Sequence, residues 1–117
     1  MGLSFNYVVA QDACRAELYI DRGKGSEAEN KAIFDELFSF HSEIEKSIPE
    51  KVSWQRLDHR RASRVRIDFE GGYRNPEYQW SEIQSKRVAA MNHLYQVIKP
   101  YLSRLGSQAD FDAESQL

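Results

Sequence analysis

Residues 63–70 alternate without a break: Ser63, Val65, Ile67 and Phe69 point one way, Arg64, Arg66, Asp68 and Glu70 the other. A period of two with one apolar and one charged side describes a strand with one face in a core and one in water. Such a strand needs a sheet that is open on one side and covered on the other. Upstream, Val52, Trp54 and Arg56 alternate with Ser53, Gln55 and Leu57, a shorter strand whose inward face is ambiguous. A very basic turn joins the two, and Gly71 and Gly72 stop the second.

The same grammar occurs earlier in the chain. Leu3, Phe5, Tyr7 and Val9 alternate with Ser4, Asn6 and Val8; Cys14, Ala16, Leu18 and Ile20 alternate with Arg15, Glu17, Tyr19 and Asp21. Gln11 and Asp12 supply the turn of a hairpin. The following loop holds Gly23, Lys24 and Gly25, but its glycine spacing is not that of a phosphate-binding loop, so it reads as a strand-to-helix connection. Ser26 with Glu29 predicts a capping box. Ile33, Phe34, Leu37, Phe38, His41, Ile44 and Ile48 then predict one amphipathic helix that Pro49 ends. After the second pair of strands, Asn75 and Pro76 predict a helix start at N-cap and first turn. Trp80, Ile83, Met91, Leu94, Tyr95, Ile98 and Leu102 mark that helix's apolar stripe. Gln84 and Arg87 fall within the stripe and weaken its first half, and Pro100 is expected to kink or end it.

The predicted order is ββαββα: a two-layer α+β domain, an antiparallel sheet with two helices packed on one face. The other face would carry Arg15, Glu17, Tyr19, Arg64, Arg66, Asp68 and Glu70. The domain is expected over 1–105, with 106–117 as a flexible acidic tail. A length of 117 residues suits a single domain with its own core. The chain begins almost directly with a strand, so either the domain starts there or it was cut from a longer protein.

The net charge of −2 gives no bulk attraction to nucleic acid or to an anionic membrane, so any basic footprint must be local. Cys14 is the single cysteine; it excludes an internal disulfide and reads as an inert core thiol in a reducing compartment. With no signal-peptide pattern and no long apolar run, a soluble cytoplasmic protein without membrane attachment is expected. His41, His59 and His93 stand in no ligand pattern, so no metal site and no cofactor are predicted.

Two places carry candidate chemistry. Asp68 and Glu70 are acids one residue apart at a strand end, a spacing that can hold Mg2+ in a nuclease. Gly71 stands where such an enzyme would place a lysine, and a ladder of Arg and acid pairs on an open sheet is the better account. More pointed is the basic run. Arg56, His59, Arg60, Arg61, Arg64 and Arg66 lie within eleven positions, with Trp54 beside them. The planar guanidinium donates two hydrogen bonds to phosphate at once, and Trp54 or Tyr19 offers a surface on which a base can stack. A solvated hairpin with cross-strand pairs is the competing account.

Arg15-Ala-Glu-Leu-Tyr-Ile-Asp-Arg22, Glu29-Asn-Lys-Ala-Ile-Phe-Asp-Glu-Leu37, Trp54-Gln-Arg-Leu-Asp58 and Arg61-Ala-Ser-Arg-Val65, continuing through Trp80 and Met91, resemble the domain of unknown function 4268 family. That domain commonly lies at the C-terminus of longer prokaryotic proteins, some with a nuclease-like N-terminal part. The resemblance implies an accessory module beside a protein partner or fused domain, and it transfers no catalytic or binding residue. The expected function is therefore an accessory or interaction domain without catalysis of its own, within a nuclease-like or nucleic-acid-processing system. The last helix and any open sheet edge are its candidate contact surfaces, with a homodimer allowed. Direct nucleic-acid binding through the 56–66 hairpin is the first alternative. A metal-dependent nuclease using Asp68 and Glu70 is the second.

Overall fold

The structure, a computed structural model, describes residues 3–106. Strands β1 (Leu3–Val9), β2 (Ala13–Ile20), β3 (Ser53–Gln55) and β4 (Ser63–Glu70) form one antiparallel sheet in the order β1-β2-β4-β3. Three helices accompany it: α1 (Glu27–Phe38), α2 (His41–Ser47) and α3 (Trp80–Gly106). The α+β class follows from the alternation. The expected tail lies outside the described residues from 107 onward.

Register sets the two sides of the sheet. Leu18 stands opposite Val65 and Ala16 opposite Ile67; the intervening pairs are Glu17 with Arg66 and Arg15 with Asp68. The first set joins Phe34 and Leu37 of α1, Ile44 of α2 and Leu94, Ile98 and Leu102 of α3 in a single core cluster. Each such Leu or Ile contributes about 1.5–3 kcal/mol when fully withdrawn from water. The second set remains on the charged side.

One predicted helix is in fact two. In an unbroken helix the Phe40 amide would bond the Glu36 carbonyl. Here Ser39 Oγ donates to Glu36 O (2.6 Å), and Phe40 N turns to Leu37 O (3.0 Å). His41 Nδ1 lies 2.8 Å from Phe38 O. Short polar side chains have thus taken carbonyls that the ladder needed. The predicted capping box is also absent. Ser26 Oγ donates back to Gly23 O (2.5 Å) and accepts from Asn30 Nδ2 (2.9 Å), while Glu29 pairs with Arg22 (3.1 Å).

The third helix departs from expectation at both ends. Asn75 does not cap it: its Oδ1 accepts from Gly72 N (3.0 Å), and a 3-10 turn, Glu77–Gln79, precedes Trp80. Pro100 does not end it either. The ring sits on the exposed side, while Ile98 and Leu102 on either side are buried and Tyr101 packs against Phe40 at 5.0 Å. Those anchors outweigh a missing hydrogen bond worth about 3 kcal/mol with its clash.

The segment after β4 is laid against the β1–β2 turn. Gly71 N donates to Asp12 O (2.9 Å), Tyr73 N to Ala10 O (3.1 Å) and Arg74 N to Gln11 O (2.9 Å). At Gly72 a side chain has no room, since a Cβ would stand 2.0 Å from Ala10 O. Gly72→Ala is therefore expected to lower stability by about 1–3 kcal/mol, the usual cost of overpacking a fixed backbone contact. Urea denaturation of the two proteins measures it; an unchanged midpoint would mean that the turn moves aside freely.

Candidate functional site

Six basic residues of the 56–66 hairpin were candidates for phosphate contact, and the fold distributes them over different surroundings. Arg56 reaches α1, with Nε 2.8 Å from Asp35 Oδ1 and Nη2 3.0 Å from Asp35 Oδ2, and it also bonds Asp58. Arg61 makes a two-point contact with Asp21 at the end of β2, 2.8 Å at each oxygen. Arg66 grips Asp68 at 2.9 Å and donates to Gln55 Oε1 at 3.3 Å. Arg64 Nη1 lies 4.0 Å from Glu17, and its Nε is buried without a hydrogen-bond partner. His59 and Arg60 are exposed in the loop and make no ion pair among the described residues.

The aromatic candidates separate as well. Trp54 belongs to the helix side: its ring lies 5.4 Å from Phe38 and 6.1 Å from Phe34, and its Nε1 donates to Glu45 (2.9 Å). Tyr19 is opposite Arg64 on the other side of the sheet. The structure therefore brings Tyr19, Arg64 and Arg66 together on one face, leaves His59, Arg60 and Arg61 in the loop, and turns Trp54 and Arg56 toward the helices.

Lys31 is the residue that sequence reasoning missed. From α1 its three ammonium hydrogens are shared among four acceptors: Arg56 O (2.5 Å), Leu57 O (2.9 Å), Ala62 O (2.7 Å) and Ser63 Oγ (3.0 Å). It closes the loop like a clasp, across a stretch in which Leu57 adopts φ 56°, a conformation that disfavours a side chain. Desolvation, then the Arg56 charge, pushes the Lys31 pKa down. Nothing in the sequence around Lys31 signals this role, because its acceptors are backbone carbonyls on another element. Asn30 works beside it. Wholly buried, it accepts from Arg22 N (3.0 Å) and donates to Arg61 O (3.0 Å).

On the open sheet face, Glu17 is only 4% exposed, its carboxylate 2.7 Å from Arg15 Nε. Arg15, rather than an acid, stands opposite Asp68, and Ala13 stands opposite Glu70. Among the described residues no three His, Cys, Asp or Glu side chains gather into a group able to hold a metal ion. Likewise, no helix among them is long and apolar enough to cross a membrane.

A second feature lies at the far end of β1. There a cavity of about 220 Å³ opens between the last residue of that strand, the Gly72–Tyr73 backbone and the first turns of α3. Arg87 lines it, and Tyr73 and Trp80 are its exposed aromatic walls. The signal for it was visible in the sequence as Gln84 and Arg87 interrupting an apolar stripe.

The ion pairs of the hairpin predict acid sensitivity. Hydrogen bonds from Arg61 hold the Asp21 carboxyl below its ordinary value, and those from Arg56 do the same for Asp35. A carboxyl depressed on folding contributes stability that is complete above its unfolded value, roughly pH 4, and is lost as pH falls through the folded value. The denaturation midpoint of the wild-type chain should hold from neutral pH to about pH 4 with respect to these groups, then decline. In Asp21→Asn/Asp35→Asn the decline below pH 4, measured against that variant's own neutral midpoint, should be shallower; an equal decline would remove these pairs as its cause.

No curated protein and no solved structure matches the chain. The family model of the domain of unknown function (DUF4268) matches residues 1–102, and the chain belongs to that family.

Proposed function

We propose that the domain is an accessory interaction module, without catalysis of its own, that joins a partner chain or a neighbouring domain along β1 and the adjoining side of α3. The observation that carries this reading is an edge with apolar side chains beside it. β1 is the outer strand of the sheet, so one row of its backbone N–H and C=O groups has no strand to pair with among the described residues. Tyr7 and Val9 on that strand, and Val88 and Tyr95 on α3, are each about two-fifths exposed or more. Around Val88, α3 presents Gln84, Ser85, Ala89 and Asn92 about a shallow depression. Small and uncharged side chains on a helix permit close approach of another chain, and an unpaired strand edge supplies directional hydrogen bonds. The wider setting, a nuclease-like or nucleic-acid-processing system, comes with the family resemblance; a second copy of the chain is an allowed partner.

A photo-crosslinking amino acid at Tyr7 or Val88, introduced one at a time into the protein in its own cells, tests this. The expected result is a discrete adduct from both positions and little from Ser42 on the exposed side of α2. Equal or absent adducts at all three positions would overturn the reading.

Nucleic-acid binding through the 56–66 hairpin is the second reading. It is favoured by His59 and Arg60, which lie with Lys31 and Arg61 around one open concavity, although Glu27 and Asp58 share it. With most of the hairpin's guanidinium groups already in ion pairs, few cations remain for phosphate, and the salt slope scales with that number. Fluorescence anisotropy with single- and double-stranded DNA and RNA should show weak binding with a shallow salt dependence that Arg60→Ala reduces further. Binding that is steep in salt and indifferent to Arg60→Ala would place the contact elsewhere.

A further inference from the structure

Arg87 is a cation with no anion beside it among the described residues. Among the described residues it makes no ion pair and no hydrogen bond; its Cζ lies 5.3 Å from the centre of the Tyr7 ring, and its Nε is buried and unpartnered. Its charge is felt locally, for burial raises the Cys14 thiol while Arg87 opposes that shift. A guanidinium half withdrawn from water with no counter-charge is costly unless an anion completes it. The same group borders the cavity at the end of β1. The other walls are chiefly apolar and aromatic, Val9, Tyr73, Trp80 and Ile83, with the Gln84 amide beside them.

Part of the wall is held before any ligand arrives. Trp80 Nε1 donates to Asn75 O (2.8 Å), which holds the indole in place. Gly72 is pressed on the Ala10 carbonyl, and a Cβ on Gly71 would come within 3.0 Å of Ile83 Cδ1. A preformed site loses little ordering entropy on binding. Its volume is below the ~300–1,000 Å³ of sites for drug-sized molecules, so the occupant is compact.

We propose that this cavity binds a carboxylate carried on a compact apolar or aromatic body. The carboxylate meets Arg87, with the Gln84 amide as a further donor, and the body lies against Trp80, Tyr73 and Ile83. One guanidinium in apolar walls matches a single negative charge and is poorly matched to a phosphate dianion, which requires more donors. A free small acid and the C-terminus of a polypeptide ending in an apolar residue share this chemistry. The site stands independently of the strand-edge reading, since occupancy of the cavity does not require β1 to be paired.

The test is a titration of the 15N-labelled intact protein with 3-phenylpropionate, following the Arg87 Nε–H and Trp80 indole resonances. Saturable shifts of both are expected. The uncharged 3-phenylpropanamide should bind at least ten-fold more weakly, as should the acid to Arg87→Gln, with Arg87→Lys intermediate. Should Arg87→Gln fail to fold, the acid–amide comparison on the unaltered protein decides alone. Equal affinity of acid and amide, or shifts that rise without saturating, would overturn the proposal. An acetylated pentapeptide ending in free Phe that binds more tightly than 3-phenylpropionate, and loses that advantage when amidated, assigns the site to chain termini; no advantage assigns it to free acids.

Discussion

The pairing of β2 with β4 is the constraint on which the rest depends. These strands are far apart in sequence and adjacent at the centre of the sheet, matched over the full length of each. With a side-chain period of two, a slip of one residue would set Leu18 opposite a charged neighbour, Arg64 or Arg66, and Glu17 opposite an apolar one, Val65 or Ile67. Both strands carry the same alternation, so only registers of one parity satisfy them together, and of these the observed one pairs the two strands end to end. The edge strands and helices then have fixed positions: β1 beside β2, β3 beside β4, and the helical residues of the core cluster against the apolar side.

Long-range pairing needs the intervening chain to close without loose ends, and the polar residues around α1 do this. Lys31 and Asn30 are neighbours in sequence with different duties. The lysine clasps carbonyls of the basic loop, and the asparagine ties the exit of β2 to the same loop. Arg56 and Arg61 add ion pairs to Asp35 and Asp21 across the same region. Exposed pairs of this kind are screened by water and add little to stability. Their greater effect is on function, since an arginine held at two points by a carboxylate has little capacity left for a phosphate. A basic run in sequence is therefore a count of charges, whereas a binding surface depends on those left uncommitted.

The strands were legible because each has a face in the core and a face in water, and burial writes that contrast into the residues themselves. The helix boundaries were less so. The break between Phe38 and His41 turns on one hydroxyl taking one carbonyl, a choice that Ser39 has in many helices without exercising it. At Pro100 the helix runs on for the opposite reason: a local rule gives way to the burial of Ile98 and Leu102, which are identifiable as anchors only once α3 is placed. Of the candidate site, the residue types were legible and their partners were not. Asp21 and Asp35 lie well upstream of the arginines they bind, and no local pattern joins them.

Arg87 shows how such a misfit becomes informative. In a largely apolar stripe, an arginine is either directed outward to water along its aliphatic stem or retained for an anion. Outward direction would leave all its nitrogens solvated, yet Nε is buried and the guanidinium lies over Tyr7 rather than beside a carboxylate. A ring quadrupole offsets part of the lost hydration and none of the directional hydrogen bonding. Neighbouring Gly71 and Gly72 press the backbone into a wall, and Trp80 is pinned through its indole N–H. A cavity with rigid apolar walls and an incompletely satisfied cation has one deficit left, and a small anion with an apolar body supplies it.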